Sequence, residues 1–267
     1  MNTIGIDSGS SIVKIIEVDE NKNILNSIML KKIPIIQALD KFIEEEKIEI
    51  KNIEKIVLTG VGKDEVGEKI YNIPTIKVDE FIAIGTGGLY MANKEEALVA
   101  SIGTGTAFVM AKKDEIKHIG GTGVGGGTLF NLCKKMTNIN EFCEIEEAIE
   151  QGSLENVDLT IQDVSLHEIK TLPKDTTSAN FGKLNEKANN NDIILGITNM
   201  IFETIGMMAV FATQNININN IIVVGNLADI QYLNVVLGKI EKMYNVKFII
   251  PKQAKYATAI GAIASTK

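Results

Sequence analysis

Tryptophan is absent from this 267-residue chain, proline occurs four times, and cysteine and histidine twice each. Cys133 and Cys143 fit no zinc or iron–sulfur spacing, and neither His118 nor His167 has a second histidine or a cysteine close by. Chemistry built on a thiolate cluster is thereby excluded, and both cysteines are expected to be plain reduced thiols. No Gly-x-Ser-x-Gly elbow joins a strand to a helix, which removes a serine hydrolase. A basic surplus is also missing: 27 Lys and Arg against 34 Asp and Glu leave a net charge of −7, with the lysines scattered. A polyanion needs concentrated positive charge, so no nucleic-acid partner is expected. The longest apolar run, 193–212, is broken by Asn199, Glu203 and Gly206, and falls short of an uninterrupted stretch of about 20 residues for a membrane span. The first residues carry no basic and apolar leader pattern, so the expectation is a cytoplasmic protein without a membrane partner.

What is present is a chain with 45% hydrophobic residues, long enough to bury a sizeable core as a two-lobed body. Periodicity predicts strands at 2–6, 12–18 and 24–30, a helix at 35–47, a strand at 55–58, a short helix at 63–71, a strand at 75–78 and a helix at 80–93. The order then begins again, with strands at 97–102, 107–112 and 116–119 and helices at 126–136 and 140–150. An irregular polar stretch over 152–190 follows. A long helix at 192–214, strand 220–224, helix 229–244, strand 246–250 and helix 256–264 complete the second half. The repeated element order predicts an α/β fold of two duplicated lobes, an N-terminal one over 1–95 and a C-terminal one over 96–267.

Two turns punctuate this order alike. Asp7-Ser8-Gly9-Ser10-Ser11 and Gly103-Thr104-Gly105-Thr106 each follow an apolar strand and open onto another strand. Small residues let backbone N–H groups approach phosphate oxygens closely. Either turn alone is explained as well by ordinary Asx chemistry in a hairpin. Together they suit the two sides of a triphosphate, as in the ATP clamp of the sugar-kinase, actin and heat-shock-ATPase superfamily. Asp7 would hold Mg²⁺, which binds one or two carboxylates plus phosphates and keeps several waters. Lys14 returns on the next strand. Six glycines in the nine residues 120–128 precede a helix, where free N–H donors would favour an anion. A dinucleotide fingerprint does not fit, because the first turn leads into a strand and not a helix.

Phosphoryl transfer to an alcohol needs alignment, charge neutralisation and a carboxylate to take the hydroxyl proton. Asp79 and Glu80 stand at a strand's end, with Glu80 the better placed, yet both could simply favour the dipole of the helix they begin. Asn226, after the strand at 220–224, could contact ribose or adenine, or only make a turn. His118 lies on the strand before the glycine run and is expected to look into the cleft, whereas His167 is expected to be solvated.

The chain resembles the bacterial type II pantothenate kinases from end to end. The resemblance is carried by Gly5-Ile6-Asp7-Ser8-Gly9 with Lys14, Glu80-Phe81, Gly103 to Thr106, Gly120 to Gly123 with Gly125-Gly126-Gly127, Ser178-Ala179-Asn180-Phe181-Gly182, Val224-Gly225-Asn226 and Ala259-Ile260-Gly261-Ala262. It implies two ribonuclease H-like lobes of the actin-like ATPase fold with an ATP cleft between them. It also implies ATP- and Mg²⁺-dependent phosphorylation of pantothenate, the first step toward coenzyme A, with Glu80 as proton acceptor. Asp7, Ser8, Gly9, Ser10, Ser11, Lys14, Thr104, Gly126, Gly127, Thr128, Leu129, Phe130, Phe142 and Asn226 fall where that family binds ATP. Thr177 and Tyr256 fall where pantothenate is enclosed, partly by a second subunit. A homodimer follows, with the long helix suited to its interface. The family's arginine before the glycine run is replaced here by His118, preceded by Lys117, and neither reproduces a bidentate guanidinium. A related kinase or ATPase acting on another small hydroxyl substrate, and a non-catalytic ATP-binding sensor, are the alternatives.

Overall fold

A computed structural model of the chain describes residues 1–165, 167, 169 and 172–266. The first sheet has the order β3-β2-β1-β4-β6-β5. Its strands are β1 (Asn2–Ser8), β2 (Ile12–Val18), β3 (Ile24–Lys31), β4 (Ile53–Thr59), β5 (Lys69–Ile70) and β6 (Ile73–Lys77). β1, β2 and β3 form an antiparallel meander, while β1 pairs parallel with β4 and β4 with β6. Both faces of β1 and β2 are buried, including the polar Thr3, Asp7, Ser8, Lys14 and Glu17. One face packs under α1 (Ile35–Glu45) through Ile4, Ile6, Leu39 and Phe42.

The second sheet, β13-β12-β7-β8-β9, is assembled from β7 (Glu96–Ile102), β8 (Thr106–Lys112), β9 (Glu115–Thr122), β12 (Asn220–Val224) and β13 (Lys247–Ile249). Around one face gather α3 (Gly126–Thr137), α4 (Cys143–Gln151), α6 (Asn190–Ile216) and α7 (Tyr232–Met243), sharing a core with Leu98, Ile102, Leu129, Phe202 and Leu233. By length and composition α6 could cross a membrane, but two-thirds of its most apolar window is buried in this core (67%). Helices α2, α3 and α6 each end on an asparagine in the left-handed region, Asn93, Asn138 and Asn217, which does the work more often given to glycine.

Between the sheets lie α2 (Glu80–Ala92) and α8 (Ala257–Ala264). Although α8 ends the chain, it packs on the first sheet, with Ile260 and Ile263 beside Ile16, Val18 and Val57. The two helices touch backbone to backbone. A Cβ on Gly87 would stand 1.9 Å from the Ala257 carbonyl oxygen, and one on Gly261 1.9 Å from that of Ala83, so only glycine fits at the crossing.

Two expectations change. The helix at 63–71 is only a 3₁₀ turn at Lys63–Glu65 followed by β5, because Val66 is extended and Gly67 breaks the segment. The stretch 152–190 holds a two-stranded sheet, β10 (Leu159–Thr160) with β11 (Thr177–Ala179), and the short α5 (Ile161–Val164). Its pairs are too short to leave a periodic signal.

Candidate active site

A cleft of about 310 Å³ opens between the lobes, lined by both Gly/Ser/Thr turns and by Glu80, Gly225 and Asn226. Asp7, at the end of β1, stands opposite Lys14 on β2, as the antiparallel register dictates. Lys14 Nζ lies 3.7 Å from Asp7 Oδ2 and both side chains are nearly inaccessible. Burial pushes the Asp7 carboxyl up and the Lys14 ammonium down from their ordinary values, and their mutual attraction offsets part of each shift. Gly9, Ser10 and Ser11 line the cleft, with Gly9 N–H donating to the Ile12 carbonyl at 3.0 Å. Ser8 is placed differently: its buried hydroxyl accepts from Lys32 Nζ at 2.7 Å, and the same ammonium reaches Glu65 at 2.8 Å. Ser8 braces the turn without lining the cleft.

The second turn carries no charge. Its Thr104 hydroxyl lies 3.1 Å from Ser10 Oγ and 3.0 Å from Ser11 Oγ, so the two turns touch across the cleft. The donors expected to be free at the start of α3 are in use. Gly126 N–H donates to the Gly103 carbonyl at 2.8 Å and Gly127 N–H to that of Thr104 at 2.9 Å. Thr128 Oγ1 is held inside the glycine loop, accepting from Gly125 N–H and donating to the Gly123 carbonyl. Leu129 is in the core, while Phe130 and Phe142 face one another with ring centroids 6.4 Å apart on the second lobe, outside the cleft lining. Asn226 does line it, and its Oδ1 is buried without a hydrogen-bond partner. A buried acceptor left unpaired is costly, and a ligand donor would satisfy it.

Local geometry separates Asp79 from Glu80. Asp79 is the N-cap of α2, its Oδ1 accepting from Phe81 N–H at 2.9 Å and Ile82 N–H at 3.1 Å. Its carboxylate is consumed by the helix end, whereas Glu80 is half-buried against the cleft. Burial raises the Glu80 carboxyl above its ordinary value; the Asp7 and Asp79 carboxylates raise it further, while Lys63 and Lys14 pull it back.

The remaining expectations scatter. His118 is exposed on β9 and stacks on Phe81, the neighbour of Glu80, with centroids 4.0 Å apart and planes 15° apart. It belongs to a surface groove with Lys117, Gly120 and Met208 and does not look into the cleft. Thr177 lies in a separate cavity of about 480 Å³ in the second lobe, donating to Glu203 at 2.6 Å. Tyr256 is buried between α8 and the first sheet. Asp7 and Glu80 are the two carboxylates that line the cleft, and no cluster of three or more His, Cys, Asp or Glu that could cage a metal occurs among the described residues. Sequence reasoning missed Ile84 and Thr258, which also line the cleft. Thr258 sits at the start of the last helix, and no periodicity could bring it there.

This geometry meets known proteins at several points. A type II pantothenate kinase of Bacillus thuringiensis subsp. konkukian (strain 97-27) is 28% identical over 273 residues, spanning 98% of this chain and 96% of that relative. The activator of the 2-hydroxyisocaproyl-CoA dehydratase from Clostridium difficile, solved with bound ADPNP, superposes with a TM-score of 0.69 at 17% identity over 98% of this chain and 92% of that one. A ROK family glucokinase from Streptomyces griseus, in complex with glucose and AMPPNP, gives 0.65 at 13% identity over 98% of each chain. At such low identity the two structures speak for the fold alone, which is that of the actin-like ATPases. Residues 96–264 match the Fumble family. With a cleft between two sheets, a match over most of its length and full-length relatives, the chain belongs to the Fumble family.

Proposed function

We propose that the chain transfers the γ-phosphoryl group of ATP to the primary hydroxyl of pantothenate, giving 4′-phosphopantothenate and ADP, the first step toward coenzyme A. Relatives named type II pantothenate kinase match nearly the whole chain and support this substrate. The observation that carries the reaction type is Glu80, a carboxylate opposite two phosphate-sized turns and beside the buried Asp7.

In this reading the hydroxyl oxygen attacks the γ-phosphorus, the bridging oxygen leaves with ADP, and the hydroxyl proton passes to Glu80. The raised Glu80 carboxyl suits a base working near neutral pH. Ser10, Ser11 and Thr104, which satisfy one another across the cleft, would exchange those bonds for phosphate oxygens. Asp7 would hold Mg²⁺ through its carboxylate, where the cation neutralises the phosphates. Asn226 Oδ1 would accept from the nucleoside. His118, in the groove beside Phe81, and Thr177, in its own cavity, would meet the acceptor substrate only from a second subunit of a homodimer in the cytoplasm, whereas Tyr256 would act through its packing two residues before the cleft-lining Thr258. An ADP-release assay across pantothenate, pantetheine, N-acetylglucosamine and simple sugars tests the proposal. Release stimulated by pantothenate is the expected result, and stimulation by another hydroxyl compound alone would replace the substrate.

A further inference from the structure

The first phosphate turn is held from behind. Lys32 follows β3 directly and grips the turn at two points, its main-chain N–H donating to the Ser11 carbonyl at 2.9 Å and its Nζ to Ser8 Oγ at 2.7 Å. The Ser8 hydroxyl is buried, and this bond satisfies it. The same ammonium reaches Glu65 Oε1 at 2.8 Å on the 3₁₀ turn that follows β4, where both charged groups keep some contact with water.

The loop that leads into Lys63 closes the clamp. Gly62 N–H donates to the Ser8 carbonyl at 3.0 Å and Glu65 N–H to that of Gly62 at 3.0 Å, so Ser8 is held through its main chain as well as its side chain. Glycine at 62 leaves the ammonium its space, since a Cβ there would collide with Ser8 Oγ and stand 2.6 Å from Lys32 Nζ. The front of the turn is open. The N–H groups of Ser10 and Ser11 donate to no described residue, and the two hydroxyls meet Thr104 across the cleft. A fixed back with free donors in front suits an anion, because donors ordered beforehand lose little freedom when it binds.

Resting on the reading of the cleft as an ATP site, we propose that Lys32 is a positioning residue for the nucleotide, which fixes Ser8 and Ser11 in the first turn and so holds the Ser10 and Ser11 donors in the orientation that receives phosphate oxygens. Ser8 then serves ATP through Lys32 and not by touching phosphate, in keeping with its place outside the cleft lining. The bond suits that task. A charge-assisted hydrogen bond is shorter and stronger than a neutral one, and removing either partner frees the turn. The Lys32–Glu65 pair, partly open to water, adds little stability by itself and aims the ammonium at Ser8.

The test is calorimetric titration of the full chain with a non-hydrolysable ATP analogue and Mg²⁺, after urea unfolding has shown each variant to be folded. Lys32→Met and Ser8→Ala should each weaken binding by about tenfold, and the double variant by no more than either single one, because both changes cut one bond. Losses that multiply to about a hundredfold, or unchanged affinity in either folded single variant, overturn the inference. Ser8→Ala leaves no hydroxyl unpaired, so it decides the matter should Lys32→Met fold poorly. Lys77→Met removes an equal charge, one that pairs with Asp64 at 3.1 Å on the same 3₁₀ turn, and should bind as the parent does. An equal loss there would trace the effect to charge in general and count against Lys32. In turnover, Lys32→Met should raise KM for ATP several-fold and keep kcat at saturation within about twofold of the parent, whereas a fall in kcat with KM unmoved would overturn the inference. Absence of binding by the parent would strike the nucleotide reading and the inference together; equal binding by parent and folded Lys32→Met would strike the inference alone.

Discussion

The two phosphate-sized turns have the same outline and opposite interiors. The first is charged: Asp7 and Lys14 form a buried pair, Lys32 clamps Ser8 from behind, and the Lys63 loop lies along it. The second is neutral, and the first amides of α3 support it by donating to its carbonyls. A helix N-terminus that elsewhere would hold an anion is here spent on a loop. Similar glycine and hydroxyl patterns therefore serve chemistry on one side of the cleft and grip on the other, and only the first should respond strongly to pH.

Removing the base gives the largest expected effect. Glu80→Gln should lower kcat by roughly 10²- to 10⁴-fold with affinity for an ATP analogue unchanged, measured by ADP release and calorimetry. Retention of most activity would shift the proton acceptor elsewhere. The same variant should be more stable than the parent at neutral pH. A carboxyl whose folded-state value is raised favours the fold most at low pH, so the neutral amide gains above that range and gains nothing below about pH 4.

Lys14→Met should come next, destabilising the protein by about 3 kcal/mol or more at pH 8 by leaving Asp7 charged and unpaired in the interior. The loss should shrink as acid protonates Asp7; urea unfolding at pH 8 and pH 5 would show it, and equal losses at both would deny that the first turn depends on charge. On the neutral side, Asn226→Ala should weaken nucleotide binding by about tenfold while leaving stability nearly unchanged, since its oxygen is unpaired in the ligand-free cleft. Thr104→Ala should be mildest. It removes exposed hydroxyl contacts to Ser10 and Ser11, so stability should fall by no more than about 0.5 kcal/mol, with no dependence on pH. A strong pH dependence there would erase the contrast between the turns.

Particular residues show why part of this site was legible in advance. The turns at 7–11 and 103–106 announce themselves because apolar strands bracket them, and the antiparallel return puts Lys14 opposite Asp7 by register alone. Local sequence favoured Glu80 over Asp79 only weakly and the family resemblance chose it; cap geometry gives the physical reason by engaging Asp79. Gly126 and Gly127 looked like free anion donors because sequence does not reveal what a neighbouring loop will accept. His118 was expected inside the cleft, yet Phe81 holds it at a separate groove.

By itself the sequence determined most of the element order, the duplicated lobes and the two turns, because periodicity and turn residues are local properties. Tertiary structure alone decided that α8 returns to the first sheet, that Thr258 shares a cleft with Asp7, and which donors and carboxylates remain free there. Those outcomes depend on contacts between residues far apart in the chain, where backbone approach at Gly87 and Gly261 and competition for each hydrogen bond settle what a one-dimensional pattern leaves open.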